Sequence, residues 1–302
     1  MRKINTVLGA LLASISLALA STSFAEEPFS KAKVIENIGL DIPESIMHDE
    51  KKDLYVVSNV GKHPTAEDGN GFISLINPDG TVKTLKWIDG QSEGVTLNTP
   101  KGMTIQNDKL YVADGNTLRI FDNTTGKPLD NILIEGTTFL NDVAVTKDGT
   151  IYVSESAIIF KGGKFLPTDK DAIYKITPDK KLVKWLSGKE LQQPNGLELL
   201  DGNKLVTVTR GGSRLYVLDE TGKKITDIDT TINVLDGLVM LPNNDYLVTS
   251  WTTSSVHRIS GNKTTKEVKL PTPAGNIGYD KKRKTLLIPL LLKNKLAFMK
   301  VE

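Results

Sequence analysis

The strongest constraint on this chain is a repeat. Six short apolar strands share one pattern, in which a leading polar or small residue precedes the apolar run: Glu44 in PESIMHD, Lys101 in PKGMTIQ, Asn141 in LNDVAVT, Asn195 in PNGLELL, Asp236 in LDGLVML and Gly275 in AGNIGYD. Successive leading positions lie 57, 40, 54, 41 and 39 residues apart, near the ~40–50 residues of a four-stranded propeller blade. Between the strands of each unit sit tight-turn clusters such as NPDG, DNTTG, KDG, DETG and PNND. Helical periodicity is nearly absent. The chain therefore reads as all-β, a six-bladed β-propeller.

The last unit, from Gly275 to Glu302, has room for three strands only: GNIGYD, KTLLIPL and KLAFMKV. The segment SKAKVIEN, Ser30 to Asn37, precedes the first unit and has no partner there. Pairing it as the outer strand of the sixth blade closes the ring and removes an exposed edge. Residues 26–302 then form one propeller domain.

Residues 1–25 carry Arg2 and Lys3, an apolar run from Val7 to Ala20, and Ser23 and Ala25 as small residues around Phe24. This is the pattern of a signal peptide cut after Ala25, which places the mature protein in the periplasm or outside the cell. The absence of cysteine rules out a lipoprotein anchor, disulfides and thiol chemistry. Without the leader, basic and acidic side chains balance at 36 each. A neutral chain with scattered charges gives no footprint for nucleic acid or an anionic membrane surface, so the expected partner is a small molecule.

In a propeller the innermost strand of each blade lines the central channel, so the leading residues should converge near one mouth. Glu44, Asn141, Asn195 and Asp236 together offer carboxylate and amide oxygens, a hard donor set. It suits one divalent cation, Ca²⁺ best, then Mg²⁺ or Mn²⁺. Zn²⁺ is the poorest match, because His48, His63 and His257 are scattered over different repeats. A second tier is expected where the next strand returns to the same mouth, at Asn59, Asp114, Glu155, Arg210 and Trp251. There Arg210 could pair with an anionic group and Trp251 could stack on a ring. The loop from Asn59 to Phe72 is long for so hairpin-rich a chain and is a candidate lid.

The stretches PESIMHDEKKDLYVVSN, FLNDVAVTKDGTIYVSES, QPNGLELLDGNKLVTVTR and LDGLVMLPNNDYLVTSW resemble, in order and spacing, the motifs of the SMP-30/gluconolactonase/LRE-like family. That resemblance implies a channel metal and hydrolysis of a sugar lactone or similar small ester. By motif, Glu44, Asn195 and Asp236 would ligate the metal, Asn141 would lie close to it, and Asp236 would also serve as general base. Two alternatives on the same scaffold are a binding propeller with a structural metal, and a phosphotriesterase-like or strictosidine-synthase-like activity. The resemblance also exposes departures. Phe139 stands where lactonases of the family carry a basic residue that holds the sugar acid, NDV replaces NDG, and Lys101 occupies a position usually uncharged. Lys101, Phe139, Glu155, Arg210 and Trp251 are thus the expected substrate contacts.

Overall fold

A computed structural model describes residues 29–301. The proposed leader, residues 1–25, lies outside the described residues. Six four-stranded antiparallel sheets follow one another around a ring. Their innermost strands are Pro43–Asp49, Pro100–Gln106, Leu140–Val145, Pro194–Leu200, Leu235–Met240 and Gly278–Asp280. The sixth sheet takes its outer strand from Lys33–Ile35, which pairs antiparallel with Lys295–Lys300. The chain is a six-bladed β-propeller closed by its N-terminal strand, as the repeat predicts.

Both faces of each blade are apolar because each blade packs against two neighbours, and successive residues of a strand point to opposite faces. In the second strand of the first blade, Val57 packs with Ile35, Leu287 and Leu296 of the sixth blade. Its neighbour Val56 packs with Met103, Leu110 and Val112 of the second. Apolar clusters of this kind fill all six junctions between blades. The outermost strands face water and turn polar, as in VKTLKWID, Val82–Asp89.

The closing junction is also bolted by charge. Arg283 donates both terminal nitrogens to the Asp53 carboxylate at 2.7 Å and reaches Asp280 at 2.8 Å. The buried Tyr55 hydroxyl donates to the other side of the seam, Asp280, at 2.8 Å. Near the axis the strands crowd each other. A Cβ on Gly196 would lie 2.5 Å from the Asp236 carbonyl oxygen, and one on Gly275 would lie 2.4 Å from that of Glu44. Only glycine permits that approach. Among the described residues no helix is long and apolar enough to cross a membrane.

The two long units each carry an insertion. In the third blade a separate hairpin, Ile158–Lys161 paired with Lys164–Pro167, stands between the second and third strands. In the first blade the extra length is the loop from Asn59 to Phe72. The two insertions touch, with the His63 and Phe160 rings edge to face at 5.3 Å.

Candidate functional site

Each of the first five innermost strands contains a one-residue β-bulge at its leading position. Pro43 pairs with Asn59 and Ser45 with Ser58, which leaves Glu44 out of the ladder. Likewise Leu140 pairs with Glu155 and the ladder resumes only at Val143 with Val153. The same shift falls at Pro100/Met103, Pro194/Leu197 and Leu235/Leu238. A bulge frees a residue from pairing and re-aims its side chain. It is the local reason that Glu44, Lys101, Asn141, Asn195 and Asp236 all line a single cavity at one mouth of the channel.

The bulge also frees a backbone N–H, which needs a partner when buried. In three of the five, a hydroxyl one residue before the end of the second strand supplies it. Ser58 accepts from the Ser45 N–H at 3.0 Å, Ser154 from Asp142 at 2.9 Å and Thr249 from Gly237 at 2.9 Å. Two of these hydroxyls also reach the next blade. Ser154 donates to the Asn195 carbonyl at 2.7 Å, and Thr249 to the Gly275 carbonyl at 3.1 Å. They fix one leading residue against the next. Asp142 adds a further bond between blades, its carboxylate accepting the Leu197 N–H at 2.7 Å.

All four proposed cation ligands are buried, and each presents a buried oxygen without a hydrogen-bond partner among the described residues: Glu44 Oε2, Asn141 Oδ1, Asn195 Oδ1 and Asp236 Oδ1. The remaining polar atoms of two of them are engaged. Asn195 Nδ2 donates to the Leu235 carbonyl at 3.1 Å, which turns its oxygen toward the cavity, and the Trp251 indole N–H donates to Asp236 Oδ2. Burial pushes the Asp236 carboxyl up to about 6, against the pull of Trp251 and Arg210. Burial, then the Asp236 charge, raise Glu44 well above the usual carboxylate range, with Lys101 opposing. Four orphaned hard oxygens and two destabilised carboxylates fit a hard divalent cation, which would supply each oxygen with its missing partner. Among the described residues no group of three or more His, Cys, Asp or Glu side chains could hold a metal, so a cation here depends on the two amides for half its protein donors.

The Lys101 ammonium, also buried, donates to the Thr99 carbonyl and hydroxyl at 3.1 and 3.2 Å and lies 4.1 Å above the centre of the Phe139 ring. Burial lowers its pKa, and the Glu44, Asp114 and Glu155 charges oppose that. Arg210 and Trp251 line the cavity as well, Arg210 stacked 5.5 Å from the centre of Phe165. The cavity, about 260 Å³ in volume, is otherwise walled by apolar groups, among them Phe160 and Phe165 of the inserted hairpin and Val60 and Pro64 of the long loop.

Glu155 corrects the expectation of a substrate contact. It lies outside the cavity lining, and its carboxylate accepts from the Thr138, Phe139 and Ala157 N–H groups and the Thr138 hydroxyl. Asn59 and Asp114 hold the equivalent loops, accepting from the backbone N–H of Asp41 and of Asn98 and Thr99. The reason is register. Asn59, Asp114 and Glu155 pair with the residues before the bulges, whereas in the fourth and fifth blades those partners are Thr209 and Ser250, one residue before Arg210 and Trp251. Alternation sends the strand-end residue into the loop and the following residue to the mouth. Sequence reasoning also missed the hairpin residues Phe160 and Phe165. The signal available for them was the excess length between Asn141 and Asn195.

Comparison with known proteins places this geometry. A gluconolactonase from Xanthomonas campestris, described as important in glucose secondary metabolic pathways, superposes with a TM-score of 0.67 at 18% identity, over 90% of each chain. The virginiamycin B lyase of Staphylococcus aureus superposes with a TM-score of 0.62 at 15% identity, over 90% of this chain and 99% of its own. At such identities the likeness is one of fold. No curated protein matches at the level of sequence. The family model described as the SMP-30/Gluconolactonase/LRE-like region matches residues 77–288, which takes in Lys101, Asn141, Asn195 and Asp236 but not Glu44. With well over half its length matched, the chain belongs to the SMP-30/gluconolactonase/LRE-like family.

Proposed function

We propose that the protein is a metal-dependent hydrolase of a lactone or similar small ester, exported to the periplasm or the medium. The observation that carries this reading is the convergence of four unpartnered oxygens, from Glu44, Asn141, Asn195 and Asp236, on the floor of one cavity. These residues would hold the cation, with Ca²⁺ the best match to the donor set. A cation bound there supplies a positive charge that polarises an ester carbonyl.

The chain's own groups do the rest. Asp236 accepts the proton of the attacking water. Burial pushes its carboxyl up to about 6 without a cation, and a bound cation would draw it down again and keep it ionised as a proton acceptor. Trp251 holds that carboxylate through its indole N–H and so fixes its orientation. The hairpin and long loop wall the cavity and exclude bulk water from the reacting ester. The test is a panel of lactones and esters assayed with Ca²⁺, Mg²⁺, Mn²⁺ or Zn²⁺, beside Asp236→Ala. Metal-dependent turnover lost in the variant is the expected result. If every metal-loaded preparation is inert, the hydrolase reading fails in favour of a ligand-binding propeller.

A further inference from the structure

The polar groups of the cavity are few, and its four unpartnered oxygens are those that would hold the cation. Its polar lining consists of Glu44, Lys101, Asn141, Asn195, Arg210 and Asp236. Of the donors among them, Lys101 is turned to Thr99, Asn195 Nδ2 to the Leu235 carbonyl, and Arg210 Nη1 to Gln193 Oε1 at 3.3 Å, which leaves the Asn141 amide and the rest of the Arg210 guanidinium to meet the polar end of a ligand. The walls above this floor are Phe139, Ile158, Phe160, Phe165, Trp251 and Leu291. Among the described residues no serine, threonine, tyrosine or glutamine lines the cavity. A sugar lactone bears a hydroxyl on nearly every carbon, and each hydroxyl buried without a partner costs about 1–3 kcal/mol. An apolar ring or chain in the same place loses nothing and is released from water.

The aromatic walls form one connected surface. Phe160 meets Phe165 at 4.9 Å between ring centres, and Phe165 meets Phe139 at 5.8 Å. Phe139 in turn lies under Lys101, so the aromatic face runs from the lid contact at His63 down to the polar floor. An apolar cavity of about 150 Å³ holds a benzene molecule. The 260 Å³ here takes a second fused ring.

From this lining we infer that the substrate is an apolar lactone or ester, with an aryl or alkyl body of one or two rings, and not a polyhydroxylated sugar lactone. The inference rests on the hydrolase reading for the word substrate, but the ligand class is carried by the walls alone. The carbonyl end meets the oxygen-lined floor, and the apolar body lies against Phe139, Phe160 and Phe165. Phe139 is joined there by two more rings that the insertion supplies.

The experiment compares two ring-closed amides, which imitate lactones without being turned over, on the mature protein loaded with Ca²⁺. Calorimetry should show a benzo-fused δ-lactam binding roughly tenfold to 100-fold more tightly than gluconolactam. Phe165→Ser and Phe160→Ser should each erode that preference while leaving Ca²⁺ binding intact. Hydrolysis of the benzo-fused δ-lactone in preference to glucono-δ-lactone would support both the class and the activity. Binding of the apolar lactam with no lactone hydrolysed would support the ligand class and sink the hydrolase reading. Tighter binding or faster turnover of the sugar compounds would overturn the inference and leave the hydrolase reading standing.

Discussion

The Lys101 ammonium lies 4.1 Å above the Phe139 ring, from a neighbouring blade. Two positions 38 residues apart in sequence are one contact in space. The buried cation is held by the ring face and by Thr99, not by the carboxylates of the floor. A cation over an aromatic face in a desolvated site is worth about 2 kcal/mol.

A fixed positive charge in that floor opposes a divalent ion. Lys101→Met should therefore tighten Ca²⁺ binding by about tenfold or more, through relief of Coulomb repulsion in a low-dielectric site. Titration calorimetry on the wild type and the variant measures it. Weaker binding in the variant would mean that the ammonium supports the cation site.

Cation binding to the folded state alone stabilises it by RT ln(1 + [L]/Kd), about 2.7 kcal/mol at one hundred times Kd. For a domain of this size that raises the midpoint by roughly 5–10 °C. Differential scanning fluorimetry should show this rise with Ca²⁺ in the wild type, and no rise in Asp236→Ala or Glu44→Gln.

Ser154 stands between two blades, accepting from the Asp142 N–H and donating to the Asn195 carbonyl. Ser154→Ala should cost about 1–3 kcal/mol and weaken Ca²⁺ binding, because Asn195 loses its anchor. Ser154→Thr should restore both, since Thr249 makes the same pair of bonds in the fifth blade. A Ser154→Ala protein that is less stable but binds Ca²⁺ normally would confine the hydroxyl to a structural role.

Tyr55 offers the opposite separation, stability without function. Its hydroxyl crosses the closing seam to Asp280, far in the fold from the cavity lining. Tyr55→Phe removes one hydrogen bond to a buried carboxylate, worth about 1.5–3 kcal/mol, and should lower the thermal midpoint by roughly 3–12 °C. Ligand affinity at room temperature should not change.

Glu198 gives a pH dependence with a definite sign. It is half-buried at the other mouth of the channel, accepts the Met240 N–H at 2.7 Å, and is pushed up to about 8 by burial. Between the ordinary glutamate value and about 8 the folded carboxyl keeps a proton that the unfolded chain has lost. Folding then takes up a proton, and stability falls as pH rises through that window. Glu198→Gln cannot titrate and keeps the carbonyl acceptor. Urea midpoints should show the variant more stable than wild type at about pH 8, and the two alike at about pH 4.

The blade count, the closing strand and the five leading side chains were legible because spacing, turn chemistry and a polar residue at the head of an apolar run are local properties. The second tier was legible only to within one residue. A bulge inserts a residue without changing the look of the alternation, so Glu155 and Arg210 seem equivalent in sequence although one holds a loop and the other lines the mouth. The hydroxyls Ser58, Ser154 and Thr249 stand in VVSN, YVSE and LVTS, and their role is invisible until the bulged N–H opposite each is known. The hairpin was hidden for another reason. Its two strands are four residues each, and the outward-facing Ile159 and Leu166 are apolar, so no apolar–polar alternation marks it in the sequence.

The strand Lys33–Ile35 that completes the sixth blade precedes the other described strands of the ring, while its partner Lys295–Lys300 follows them. No early-made fragment can finish that sheet. The ring stays open at one seam until Lys295–Lys300 is available, with the edge of Lys33–Ile35 waiting and the blade-one side of the Asp53, Tyr55 and Arg283 bolt unmet. Long-range closure of this kind is slow and leaves edges exposed in the interim.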